Sequence, residues 1–319
     1  MDTTWERIYK IINIDINVAN KLYKCFEPQK DVESIELFTS GRSTTNYKIK
    51  LKNSDKIFVL RIYPKSDKSW HKEFTIQNMF KNCFPIPEMY YFNEDRMIIN
   101  YPFSIVQYVN GITLDKYITQ ENKCIPESLV QNIGEILAFI HQKNFEKEGF
   151  LDENLNITDG LPPILLWYDY FLSNRAGSRL GSNITSRISK LLYENQSYLE
   201  QMTSRFVFSH GDFRFENMIV KNGKLTGIID WEGALSAPIY LDIGQFFRYE
   251  ELTTKKVKNS FIYGYKKNDA FDIVENWDKL SKLMDLANLL CLLDNEEEKT
   301  KLFQELKVFV LKTLDIFNQ

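Results

Sequence analysis

Cysteine and histidine are scarce in this 319-residue chain: Cys25, Cys83, Cys124 and Cys291 lie far apart without a CxxC pair, and the histidines are His71, His141 and His210. A structural zinc site is therefore poorly supplied, and a reducing compartment is the simpler expectation. Long apolar runs are missing too, since stretches such as ANLLCLL at 287–293 are too short to span a bilayer. The amino terminus, MDTTWERIYK, lacks a basic region followed by an apolar core. These absences predict a cytoplasmic protein with no membrane partner. No basic surplus exists either, because 40 Lys+Arg stand against 43 Asp+Glu, which argues against a nucleic-acid partner. A DxDxDG calcium loop and a GxSxG nucleophile elbow are also lacking.

What is present is ordinary globular composition, 44% hydrophobic and 26% charged, with ample length for a buried core. Residues 2–26 place Trp5, Ile8, Ile12, Ile16, Ala19 and Tyr23 at helical spacing, predicting a helix closed near Pro28. From Ile35 to Tyr63 the pattern alternates and breaks at SGRS and NSDK, predicting three antiparallel strands. Residues 69–81 return to helical spacing, FPIPEM stops them, and strand-like MYYF, RMIIN and SIVQYV follow. Asn110-Gly111 supplies a turn. Later segments are nearly all helical: 113–119, 126–144, 163–173, 184–203, 241–251, 255–267, 272–294 and 299–317. A small sheet lobe over 1–109 thus leads into a large helical lobe over 110–319.

One strand-rich island interrupts the helical half, RFVFSHGDFRFENMIVKNGKLTGIIDWEGA. MIV and LTGIID read as two strands joined at Lys221-Asn222-Gly223-Lys224, a hairpin signal. That hairpin returns Asp230 to the end of the island where Asn217 lies, near Asp212. Taken singly, each has a plain account: His210 as a packed histidine, Asn217 as a cap or turn residue, Asp230 as a strand-end carboxylate. Together they supply the oxygens that suit a hard cation such as Mg²⁺, with a further carboxylate to take a proton from a hydroxyl. Phosphoryl transfer is the chemistry that uses such a set.

HGDFRFEN at 210–217 followed by IIDWE at 228–232 resembles the catalytic and metal-binding motifs of the aminoglycoside phosphotransferase family. The resemblance implies an α+β fold, bilobal and protein-kinase-like, with a small antiparallel-sheet lobe and a large, mostly helical lobe. It implies that Asp212 positions or deprotonates an acceptor hydroxyl, and that Asn217 and Asp230 hold Mg²⁺ against the phosphates of ATP or GTP. His210 then braces the loop, as does Asp242 in LDIGQFFRYE. Arg61 of FVLRIY stands where such folds place a phosphate-pairing lysine, a departure because a guanidinium is bulkier, and Glu73 is its expected partner. Gln107 to Val109 would offer backbone to the nucleobase. Ser43 lies in SGRSTTNY, which departs from GxGxxG in having only Gly41.

The acceptor implied is a small-molecule hydroxyl, an aminoglycoside first, with choline, homoserine and methylthioribose types as alternatives, and a catalytically silent nucleotide binder beyond them. A cationic acceptor needs carboxylates. Glu232, close after Asp230, is the candidate, with Asp152, Glu153, Asp169, Glu250, Glu251 and DNEEE at 294–298 as others, and the aromatics of WYDYF at 167–171 as a wall.

Overall fold

A computed structural model describes residues 7–39, 41, 43–66, 69–120, 124–158, 162–202, 205–267 and 273–317. Helix α1 (Ile16–Lys24) is followed by β1 (Val32–Leu37), β2 (Thr45–Leu51), β3 (Ile57–Ile62), α2 (Ser69–Phe80), β4 (Met89–Asn93) and β5 (Phe103–Gln107). These strands form one antiparallel sheet in the order β1-β2-β3-β5-β4. Its strands alternate buried and open positions, and one face receives Ala19, Leu22 and Tyr23 of α1 over Ile49, Leu60, Ile62 and Ile105.

The larger lobe opens with β6 (Ile112–Thr113), α3 (Leu114–Thr119), α4 (Glu127–Ile140), β7 (Asn144–Phe145) and β8 (Gly149–Phe150). Helices α5 (Ile164–Ser173), α6 (Arg175–Leu180), α7 (Ser182–Glu194) and α8 (Gln196–Met202) follow. Then come β9 (Phe206–Ser209), β10 (Met218–Lys221), β11 (Lys224–Ile228) and β12 (Leu235–Pro238). Helices α9 (Tyr240–Phe246), α10 (Lys255–Lys266), α11 (Trp277–Leu293) and α12 (Thr300–Phe317) complete the chain. Sheets β11-β10-β6 and β7-β9-β12-β8 are embedded in this lobe, so the bilobal α+β expectation holds. The hairpin turn has positive φ at both Asn222 and Gly223, the geometry that a tight two-residue hairpin requires.

The inner face of α2 joins the larger core. Ile76, Phe80 and Phe84 pack in the cluster that holds Leu137, Phe208 and Trp231. The helix therefore ties the sheet lobe to the strand-rich island, and Ile228 N–H donates to Pro85 O across the same seam at 3.0 Å.

Several expected elements differ. Residues 2–6 of the first predicted helix lie outside the described residues, and 7–15 are not helical. Ile12 and Ile14, two apart, both pack on the sheet core, and the Ile12 and Ile14 N–H groups donate to Thr45 Oγ1 and Tyr47 Oη. The helix starts only at the Asp15 cap, whose side chain accepts from Val18 N–H at 2.8 Å. RMIIN is not a strand, since Arg96 adopts positive φ and Met97 is exposed. The 184–203 helix breaks at Asn195, whose Nδ2 donates to Leu191 O and ends α7. The 241–251 helix stops at Phe246. Among the described residues no helix is long and apolar enough to cross a membrane.

Glu148, beside β8, is buried with its carboxylate accepting from the Ile164 amide at the start of α5. Burial pushes its pKa up from 4.5 to about 7. A raised carboxyl pKa gives stability that is full below the unfolded value and is lost as pH rises through the folded one. Between pH 5 and pH 8 the chain is expected to lose on the order of 2 kcal/mol through this group. Glu148→Gln should flatten that dependence in urea unfolding; an unchanged profile would remove Glu148 as its source.

Candidate active site

The loop from Ser209 to Asn217 leaves β9 and reaches β10 through a 3₁₀ turn at Phe215–Asn217. Its amides are held by two side chains of α9. Asp242 accepts from His210 N–H at 2.8 Å and Gly211 N–H at 2.9 Å. Gln245 accepts from Phe213 N–H at 2.9 Å and donates to Gly211 O at 2.8 Å. Asp242 is buried and also meets His141 Nε2 at 3.1 Å, whose Nδ1 lies 2.7 Å from Tyr265 Oη. Asp242 thus braces the loop, as expected, and His141 is a core residue. Gly211 has φ 79°, and a Cβ there would stand 2.1 Å from Gly233 O, so only glycine allows this approach of the two turns.

His210 is fully buried and packs against Trp231, ring centroids 4.3 Å apart and tilted by 47°. Its Nε2 donates to Ile229 O at 3.0 Å, which leaves Nδ1 to accept from Asp212 N–H at 3.2 Å. Burial lowers its pKa, against the pull of Asp242 and Asp212, so the ring is neutral. The histidine joins the loop to the chain that leads into Asp230.

Asp212 keeps 36% of its side chain exposed, beside Arg214 with 8%. Arg214 Nε bonds Oδ1 and Nη2 bonds Oδ2 at 3.0 Å. Asn217 Nδ2 donates to the same Oδ2 at 2.8 Å and to the Asp212 carbonyl at 2.9 Å. Burial alone would raise the Asp212 pKa, but the Arg214 guanidinium outweighs it and brings the group down to about 2. Ile229 N–H donates to Asn217 O at 3.0 Å, which sets Asp230 next to this pair. Asp230 has φ 62°, a left-handed conformation that Asp tolerates better than most residues.

From the sheet lobe, Arg61 reaches the same place. Its Nη1 meets Glu73 Oε2 at 3.2 Å, and its Nη2 meets Asp230 Oδ1 at 3.3 Å and Glu232 Oε2 at 3.6 Å. Burial works against its charge, but Glu73 above all, with Asp230 and Glu232, raises its pKa well beyond the usual value. One guanidinium among three carboxylates leaves a negative surplus. Among the described residues no three His, Cys, Asp or Glu side chains form a metal cage. With Asn217 Nδ2 committed to Asp212, the Asn217 Oδ1 and the Asp230 carboxylate are the oxygens left for a cation. That set fits a Mg²⁺ ion sharing its shell with water and phosphate rather than an all-protein site.

The remaining candidates are placed as follows. Gln107 N–H donates to Glu88 O at 2.7 Å, and its Oε1 accepts from Glu88 N–H at 3.1 Å, so its amide is already engaged. Val109 packs over Gly227, where a Cβ would approach Val109 Cγ1 to 2.9 Å. Ser43 is half-buried in the β1–β2 turn, Ser40 and Arg42 lie outside the described residues, and Arg7 donates to the carbonyls of Gly41 and Thr44. Glu232 is turned to Arg61. Other acidic candidates are engaged within the fold: Asp152 caps the Asn154 and Asn156 amides, Glu250 meets Lys258 and Lys282, Glu251 meets Lys312, and Glu296 and Glu298 meet Arg175 and Arg179. Tyr168 is buried and donates to Leu283 O, so it packs α5 on α11 instead of forming a wall. Sequence reading missed Arg214, Gln245 and the buried Arg248–Asp285 pair, although FRF between Asp212 and Glu216 is a basic residue in an otherwise apolar stretch.

The profile of the phosphotransferase enzyme family matches residues 34–281. A curated relative, acyl-CoA dehydrogenase family member 10 of Mus musculus, is 24% identical over 216 residues, which is 65% of this chain and 19% of that protein. The chain spans about a fifth of that relative's length. Three solved structures share the fold. A thermostable variant of aminoglycoside phosphotransferase APH(4)-Ia, in a ternary complex with AMP-PNP and hygromycin B, matches with TM-score 0.64 and 15% identity over 93% of this chain and 97% of its own. ADP-bound aminoglycoside phosphotransferase APH(2'')-Ib matches with TM-score 0.62 and 17% identity over 95% and 99%. Choline kinase LicA from Streptococcus pneumoniae matches with TM-score 0.62 and 16% identity over 93% and 99%.

Proposed function

The chain belongs to the phosphotransferase enzyme family, and from that premise we propose that it transfers the γ-phosphoryl group of ATP or GTP to a hydroxyl of a small molecule. The observation that carries this reading is the convergence of Asp212, Asn217 and Asp230 from one island with Arg61 from the other lobe. In the transfer, a lone pair of the acceptor oxygen forms the new O–P bond, the γ-phosphorus parts from the bridging oxygen, which leaves with its electron pair on the nucleoside diphosphate, and the acceptor O–H bond breaks as its proton passes to Asp212. Asp212 orients the hydroxyl and takes its proton. With a pKa of about 2 it is a weak base, so the proton passes late, once O–P bonding has made the hydroxyl acidic. A loose transition state needs no earlier removal.

Asn217 and Asp230 would hold Mg²⁺, which supplies charge neutralisation to the phosphates. Arg61, held by Glu73, contributes a fixed cation on the nucleotide side. Because the Gln107 amide is engaged with Glu88, Val109 is the residue assigned to the nucleobase edge, with Gln107 reduced to its carbonyl, and Ser43 is assigned to the phosphate side. An aminoglycoside-type antibiotic is the acceptor to test first, since two of the solved relatives are aminoglycoside phosphotransferases; choline, homoserine and methylthioribose come next, one relative being a choline kinase. Glu232 is the carboxylate assigned to a cationic acceptor.

The test is NADH-coupled turnover of ATP and of GTP with Mg²⁺ across that panel. Stimulation by one acceptor, lost in Asp212→Ala, is expected. Nucleotide binding with no turnover under any condition would replace the transferase by a silent binder.

A further inference from the structure

Arg214 has no part in the reading above. It stands two residues after Asp212 and grips both oxygens of that carboxylate. Of the pair, the cation is the buried member and the acid is the open one. Two parallel N–H bonds to one carboxylate need a planar fork, which guanidinium has and ammonium lacks. A further buried carboxylate of this region, Asp285, is already claimed, because Arg248 grips it with Nε at 3.2 and 3.1 Å from its two oxygens. Arg248 also lies close enough to Arg214 for their charges to repel, which favours seating Arg214 against Asp212.

A carboxylate offers about four acceptor positions, two on each oxygen. At Asp212, Oδ2 takes Arg214 Nη2 and Asn217 Nδ2, and Oδ1 takes Arg214 Nε. These three bonds leave one position, on Oδ1, of a side chain that stays 36% exposed.

We propose that Arg214 is a positioning residue for phosphoryl transfer: it fixes the Asp212 carboxylate so that a single acceptor position of Oδ1 meets the incoming hydroxyl. The inference rests on the phosphotransferase reading and adds to it a second functional charge in the loop. Without the fork, Asp212 can turn about its side-chain torsions, and a misplacement of about 1 Å in a reacting geometry costs on the order of 10²-fold in rate.

The experiment compares Arg214→Met and Arg214→Lys with the wild-type chain, each first shown to unfold cooperatively. Turnover of ATP and GTP with Mg²⁺ is read with the acceptor that the panel yields, or with water as acceptor. The kcat of Arg214→Met should fall about 10²-fold with the nucleotide KM unchanged, and Arg214→Lys should recover part of it. Independently of activity, ¹⁵N NMR should show a slowly exchanging Arg214 Nε–H resonance that moves in Asp212→Asn. Wild-type kcat in Arg214→Met would overturn the positioning role alone. So would equal losses in both variants together with an Nε resonance indifferent to Asp212→Asn, the pattern of a residue that only supports the fold. A wild-type chain that binds nucleotide yet turns over neither ATP nor GTP, with the Nε resonance present, would overturn the phosphotransferase reading and the positioning role with it.

Discussion

Asp212→Ala is expected to lower turnover by roughly 10²- to 10⁴-fold and, separately, to cost about 2–4 kcal/mol of stability. The first loss follows from removing the group proposed to meet the acceptor hydroxyl. The second follows from Arg214, whose side chain is 8% exposed and would lose the Asp212 carboxylate while lying near the more deeply buried Arg248. Breaking a fully buried pair costs about 3–5 kcal/mol; the open edge of Asp212 places this one lower. Adding Arg214→Met to Asp212→Ala removes the buried charge along with its carboxylate, so the double variant should regain most of the stability and none of the turnover. Urea unfolding and initial rates on the single and double variants separate the two effects. A double variant no more stable than Asp212→Ala would show that the cation is not the source of the loss.

That confounding was invisible in the sequence, and the reason is general. Local pattern made the island legible: HGD, Asn217 and Asp230 lie within one hairpin's span, and the Lys221–Lys224 turn sets their order. The Asp242 brace was legible too, although it lies 32 residues from His210, because it belongs to a recurrent motif. Partners chosen by packing were not. Arg248 and Asp285 lie 37 residues apart on α9's end and α11, and no local spacing brings them together. Helical spacing misled at the amino terminus because Ile12 and Ile14 answer to the sheet core, not to a helix face. It also could not show that α2 divides its side chains between two tasks, with Glu73 given to Arg61 and Ile76 and Phe80 to the larger core. Glu232 was legible as a cleft carboxylate; its engagement with Arg61 depended on where the other lobe settles.

Asp230 tests the proposed metal assignment. Asp230→Ala should reduce Mg²⁺-dependent nucleotide affinity by more than about 10²-fold, since even residues that merely support metal ligands are worth 10- to 100-fold. The fold should survive, because Arg61 keeps Glu73 at 3.2 Å and Glu232 at 3.6 Å. Alanine at φ 62° adds about 1–2 kcal/mol of backbone strain, which could be mistaken for a binding effect. Asp230→Asn removes that ambiguity, for asparagine tolerates the left-handed conformation and keeps the shape of aspartate while losing its charge and one acceptor oxygen. Titration calorimetry with AMP-PNP, with and without Mg²⁺, should then show both variants weakened only when Mg²⁺ is present. Wild-type affinity in Asp230→Asn with Mg²⁺ would sink the metal assignment. Weakening that is equal without Mg²⁺ would instead assign Asp230 to holding Arg61 in place, because an arginine freed from that carboxylate no longer presents its charge to the phosphates.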